Sequence, residues 1–131
     1  MLLTHGDVLC TDDKPYQELR RIVRNPYWQQ NFLSKTLEER RAMAKDLRNQ
    51  SLTETAAKPE DIMDVNQCAV KTMMQEHNVK FLIHGHTHRP GVHSFVLDGH
   101  QATRIVLGAW HEKGSVLCWN TKGFQLKTFP R

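Results

Sequence analysis

A chain of 131 residues has room for one domain at most, yet enough to bury a real core. Its charged fraction of 24% and the lack of any low-complexity tract set it among ordinary globular proteins, which excludes a disordered or fibrous chain. The net charge of +4 is unevenly spread: Lys14 to Arg48 carries nine basic residues against four acidic ones, while the rest is close to balanced.

No apolar run approaches the roughly 18 residues needed to span a bilayer. The start, "MLLTHGDVLC", lacks the basic flank and apolar core of a signal peptide, so a cytoplasmic location is expected. Cys10, Cys68 and Cys118 are odd in number and form no CxxC pair. That spacing argues against a disulfide framework or a thiolate zinc site and leaves buried free thiols as the expectation.

The first element is a short strand, Leu2 to Thr4, running into a loop at His5-Gly6-Asp7. A helical section follows. Leu19, Ile22 and Val23 stand at helical spacing after Pro15, a favoured first-turn residue. Asn25-Pro26 reads as an N-cap with proline at the first helical position, opening a helix that carries Tyr27, Trp28, Phe32 and Leu33. Thr36 and Glu39 form a capping box for a third helix, roughly Leu37 to Arg48.

"NQSLTETAAKPE" is small and polar and reads as a loop. Next comes a helix from about Glu60 to His77, with a stripe of Ile62, Val65, Ala69 and Met73 and a stop at Asn78. "VKFLIHGH" reads as a buried strand ending at His84. From Gly91 the pattern has period two, in "GVHSFVL", "QATRIVLGA", "GSVLCWN" and "FQLKTF". Asp98-Gly99, Lys113-Gly114 and Lys122-Gly123 separate these as turn signals. Helices ahead of a hairpin-connected sheet give a mixed α and β domain.

Three histidines, His84, His86 and His88, follow the apolar strand at alternate positions. Residues two apart in a strand project the same way, and Gly85 leaves room beside them. Neutral imidazoles from one strand end suit Mn²⁺, Zn²⁺ or Fe²⁺. His5 lies where a parallel neighbour of the 79–83 strand would deliver it, at the carboxyl end where open α/β sheets build sites. His77 reads as a helix-end cation, and His93 and His100 as strand or turn positions. For His88, orienting a ligand or touching substrate stands open beside metal binding, and for His111 the reading stays open between site and ordinary surface.

With "THGD" and "HGHTHRP" both present, the chain resembles the calcineurin-like metallophosphoesterases. "HGDVLCTDD", "IMDVNQ", "LIHGHTHRPGVH" and "VLGAWHEKGS" narrow the resemblance to the pyrophosphatases that cleave UDP-2,3-diacylglucosamine in bacterial lipid A synthesis. It runs from Leu3 to about Phe129. The resemblance implies an α+β sandwich, the C-terminal half of a four-layer metallophosphoesterase β-sandwich, with a helical cap insertion at about 14–58. It implies a two-metal site, usually Mn²⁺, in which His5 and His84 bind one metal and His86 the other. His84 and His86 would carry the catalysis, and His84 would also touch substrate. Asp13, Ser51, Thr55 and Lys58 would contact the substrate, although the family more often has asparagine where Thr55 stands and a basic residue where Leu52 stands. The chemistry implied is attack of activated water on the α-phosphorus, giving UMP and 2,3-diacylglucosamine 1-phosphate.

The superfamily pattern begins with a DxH strand, a GDxxD/E loop and a GNHD loop, and none is found here. The expectation is therefore the C-terminal part of such an enzyme, starting at an internal Met1. Alone it would bind at most one metal and be inactive. Basic residues interleaved with Tyr27, Trp28, Phe32 and Leu33 suit either covering acyl chains in peripheral contact with the cytoplasmic face of the inner membrane or a solvated helical cap that packs its aromatics inward. No nucleic-acid partner is expected, since no binding motif accompanies the basic stretch. A phosphodiesterase acting on nucleotides and a non-catalytic metal- or lipid-binding fragment are the alternatives.

Overall fold

The computed structural model describes residues 1–57, 63–111 and 113–130, which form two compact units. The first comprises Met1–Thr11 with Asp64–Arg131, and the second is Asp12–Met63. The mixed α/β class expected from the pattern is the one observed.

The first unit is organised by a four-stranded sheet. Strand β1 (Leu2–Thr4) pairs in parallel with β2 (Phe81–His84), so that Thr4 stands opposite His84. β2 pairs in parallel with β4 (His100–Val106), and β4 pairs antiparallel with β3 (Gly91–Leu97). Spatial order is β1-β2-β4-β3. The β3–β4 hairpin closes at Asp98-Gly99, both with positive φ (51° and 77°), as a tight two-residue turn requires.

Helix α4 (Gln67–Glu76) packs over one face of this sheet. Val70 and Met74, four residues apart, are fully buried with Leu82 and Ala102, joined by Leu9, Cys10, Val65 and Leu97. Each fully buried side chain of this size contributes about 1.5–3 kcal/mol. On the other face Phe81 meets Trp119 and Phe124 edge-on, at centroid distances of 4.9 and 6.0 Å. Those two rings lie on a separate antiparallel pair, β5 (Lys113–Asn120) and β6 (Gly123–Pro130).

Several expectations need correction. Residues 63–66 are not helical. Asn66 caps α4, its Oδ1 accepting from the Cys68 and Ala69 amides, and the Asp64 carboxylate takes the Val65 amide. Those side-chain bonds hold the backbone out of a helix there. The buried stripe is consequently Val70 and Met74 rather than Ala69 and Met73, and Ile62 lies outside the described residues. Lys113-Gly114 opens β5 instead of turning, and the tail strands divide between two sheets because β4 inserts beside β2. Of the three cysteines Cys10 is buried and Cys68 and Cys118 are exposed, and none of them forms a disulfide.

In the second unit, α1 (Lys14–Val23) is capped by Asp13, and α2 (Pro26–Ser34) by Asn25 with Pro26 at the first position. The Thr36–Glu39 box closes both ways, at 2.8 and 3.3 Å, and starts α3 (Leu37–Ala57). α3 runs nine residues past the expected end, through "NQSLTETAA", since that stretch holds no Gly or Pro to stop it. Trp28 and Phe32 stack at 5.2 Å, whereas Ile22, Tyr27, Leu33 and Leu37 are exposed. Among the described residues no helix is long and apolar enough to cross a membrane.

Candidate hydrolytic site

Three loops leave the sheet at the carboxyl ends of β1, β2 and β4, the edge where open α/β sheets place their sites. Backbone bonds tie them together: Gly85 N–H donates to His5 O (3.1 Å), and Leu107 N–H donates to His84 O (2.7 Å). The parallel register puts His5 one residue beyond the partner of His84.

Gly6 makes this approach possible. Its φ of 105° is one an L side chain rarely adopts, and a Cβ there would lie 2.8 Å from His84 Nδ1. His5 Nδ1 lies 3.1 Å from the Asp7 carboxylate, which is almost wholly buried while the His5 ring reaches solvent. Such a carboxylate fixes the imidazole's orientation and leaves Nε2 facing outward. The His5 and His86 rings meet at 4.9 Å between centroids, tilted by 59°.

His86 does not reach this position by strand alternation. The strand ends at His84, and His86 and His88 both take left-handed backbone conformations, with φ of 68° and 56°. Each such residue costs on the order of 1–3 kcal/mol, and strain of this kind collects at functional sites. The chain spends this energy to turn His86 towards His5 and His88 towards His111, whose ring lies 5.8 Å away.

His84 is 1% exposed and sits in a polar network beneath the loop. Its Nδ1 lies 2.8 Å from Gly85 O and donates to it, so Nε2 accepts from Arg104 Nη1 at 3.2 Å. Burial pushes the His84 pKa down and the Arg104 charge adds to this, against the opposing Gly85 bond and the more distant Asp64 carboxylate. His84 is therefore neutral at pH 7. Asp64 lies 4.0 Å from the Arg104 guanidinium and 3.5 Å from that of Arg89.

Asp64 and Arg104 were not singled out in the sequence as site residues. A charged residue inside the apolar run "ATRIV" was the available signal for Arg104. Asp64 carried a weaker one, as the acid in "IMDVNQ".

As cation ligands, His5 and His86 fit as a pair of imidazoles with the Asp7 carboxylate behind them. His84 would have to release one of its two hydrogen bonds to join them. Among the described residues no group of three His, Cys, Asp or Glu side chains is already arranged around one point. The remaining site residues belong to the helical unit. Asp13 is buried and its Oδ1 accepts from the Tyr16 amide at 3.1 Å. Ser51 is exposed on α3, and Thr55 lies further along that helix, so both are helical rather than in the loop expected. Lys58 lies outside the described residues.

An open, largely parallel sheet with histidine loops at its carboxyl edge has those loops where open α/β folds bind their ligands. No family model matches the chain. Among curated proteins it is similar to a series of UDP-2,3-diacylglucosamine hydrolases. It is 50% identical to that of Aromatoleum aromaticum over 94% of its own length and 50% of the relative's. With the Nitrosococcus oceani hydrolase it shares 50% identity over 94% of this chain and 49% of the relative. The Serratia proteamaculans hydrolase is 45% identical over 99% of this chain and 54% of the relative. The chain thus spans about half the length of the curated relatives it matches.

Proposed function

We propose that this chain supplies part of the site of a UDP-2,3-diacylglucosamine pyrophosphatase in lipid A synthesis. The observation that carries the reading is the meeting of His5 and His86 above buried His84, at the carboxyl edge of the sheet. It occurs in a chain half identical to hydrolases named for that substrate.

In this proposal His5, His84 and His86 are cation ligands, and His84 and His86 face the reacting pyrophosphate. Two divalent cations, Mn²⁺ foremost, would neutralise the pyrophosphate and acidify the attacking water when bound. Asp7 holds the His5 ring so that Nε2 points outward. Gly85 O accepts from His84 Nδ1, and Nε2 would have to exchange its bond from Arg104 for the cation. Three neutral imidazoles offset none of the charge of two divalent ions, and among the described residues no third ligand is preset around the His5–His86 pair. The 131 residues alone are therefore expected to bind at most one cation and to leave the substrate intact.

Substrate contacts at Asp13, Ser51, Thr55 and Lys58 belong to the same proposal, as does peripheral attachment to the cytoplasmic face of the inner membrane. The attachment is supported by exposed Ile22, Tyr27, Leu33 and Leu37, with Arg20 and Arg21 on α1 and Arg40 and Arg41 on α3 to either side of the uncharged α2 in sequence.

The test is a chimera in which the matching segment of the Aromatoleum aromaticum hydrolase is exchanged for this chain. With Mn²⁺ it should release UMP and 2,3-diacylglucosamine 1-phosphate from UDP-2,3-diacylglucosamine, while the chain alone releases neither. Preferential turnover of a cyclic nucleotide would move the assignment to the nucleotide phosphodiesterases. A folded chimera without any turnover would remove it.

A further inference from the structure

A second cleft opens beside the histidine loop, between it and β5, with a volume of about 320 Å³. That is at the lower end of the range that small-molecule sites occupy. His88, Pro90, His111, Lys113, Ser115 and Thr128 line it. The lining offers two imidazoles, one ammonium group and two hydroxyls. No acidic side chain lines it among the described residues.

The walls are shaped to leave this space. His88 is turned into place by its left-handed backbone and meets His111 edge-on, at 5.8 Å between centroids. Trp110 Nε1 donates to Ser115 O at 3.2 Å, fixing the loop after β4 against β5. A Cβ on Gly108 would lie 3.1 Å from Ser115 Cβ and 3.3 Å from Pro90 Cγ, so glycine lets Ser115 and Pro90 pack closely at the floor.

Ser115 supplies the independent observation. The residue is 6% exposed, and its Oγ is buried without a hydrogen-bond partner among the described residues. A buried hydroxyl left unpaired costs about 1–3 kcal/mol, and few native groups are left so. Ser115 lines a cleft whose other polar side chains are a lysine, two histidines and Thr128. A compact anion rich in acceptor oxygens would satisfy them together.

We propose that this cleft binds a phosphoryl group, through Lys113, His88, His111 and the Ser115 hydroxyl. The assignment uses none of the residues given to the pyrophosphatase reaction, so the two can fail separately.

The experiment is a titration of the 131-residue chain with inorganic phosphate, UMP and uridine, followed by NMR of the His88, His111 and Ser115 signals. Saturable shifts with phosphate and with UMP are expected, and none with uridine. Lys113→Gln and His111→Ala, both at exposed positions, should each raise the Kd for phosphate about tenfold while the rest of the spectrum is preserved. Tighter binding of UMP, with added shifts at Pro90 and Ala109, would identify a nucleotide as the bearer of the group. Equal affinities would mean that the phosphoryl group alone is recognised. Absence of saturable shifts, equal response to uridine, or affinities unchanged in both variants would overturn the proposal.

Discussion

Gly6→Ala tests the geometry that brings the histidine loops together. Two costs are expected. The first is conformational: φ of 105° lies where an L residue costs roughly 1–2 kcal/mol, partly offset by the lower entropy of the unfolded alanine chain. The second is a collision, since the new methyl would stand 2.8 Å from His84 Nδ1, 3.1 Å from Gly85 O and 3.2 Å from His84 Cβ. His84 cannot swing aside cheaply, because it is buried and bonded to Gly85 O and Arg104. Overpacking of this kind costs about 1–3 kcal/mol. Gly99 provides an internal control. Its φ is 77°, and a Cβ there would meet nothing within 4 Å, so Gly99→Ala carries the backbone cost alone. Urea unfolding of both variants should place Gly6→Ala about 1–3 kcal/mol below Gly99→Ala, with matching m-values. If the two variants agree within about 0.5 kcal/mol, the close packing of Gly6 against His84 is wrong.

Three further predictions follow from the structure. The Glu39 carboxyl is held below its ordinary 4.5 chiefly by the bond from the Thr36 backbone amide, then by the Thr36 side chain; the box is therefore intact above 4.5 and is lost as pH falls through the lowered pKa. The Thr36 amide shift should accordingly titrate with a midpoint below 4.5, and Glu39→Gln should abolish that step. Iodoacetamide should modify Cys68 and Cys118 in the native chain and reach Cys10 only on unfolding; rapid native labelling of Cys10, read by mass spectrometry, would contradict the core packing. Replacing buried Arg104 by methionine keeps much of the volume and removes an Nε that has no partner among the described residues, but it leaves buried His84 Nε2 without its donor, so Arg104→Met should cost about 1–3 kcal/mol. Arg104→Ala, which leaves a cavity, should cost about 2–4 kcal/mol by denaturant melts.

What the sequence disclosed followed from local chemistry. Caps at Asn25 and Thr36 are side chains bonding to nearby backbone, and Asn78 and Asp98-Gly99 take the left-handed backbone that stops a helix or closes a hairpin; each occurs where its residues stand. The parallel neighbour that carries His5 to the end of β2 was also legible, because a buried apolar run ending in histidines needs a partner strand. Non-local features were not. The placement of β4 beside β2, and the division of the tail into two sheets, depend on strand pairing that period-two alternation cannot assign. The extent of α3 was missed because polar composition was read as loop, although nothing in it breaks a helix. At the site, alternation suggested that His84, His86 and His88 share a strand face. They are instead separated by two left-handed turns, which no spacing rule reveals. Arg104 beneath His84 was invisible for a similar reason, since their contact spans twenty residues of chain.

The central claim is that the histidines of this chain carry pyrophosphate cleavage, and it is tested most directly in the chimera with the Aromatoleum aromaticum hydrolase. UMP release from UDP-2,3-diacylglucosamine would be measured at saturating Mn²⁺ for the parent chimera and for its His5→Ala, His84→Ala and His86→Ala variants. The account predicts losses of about 100-fold or more in each, in keeping with the loss of a group that acts on the transition state. The fold should survive in His5→Ala and His86→Ala, whose rings lie in the loops above the core. Near-parental turnover by those two variants would contradict it.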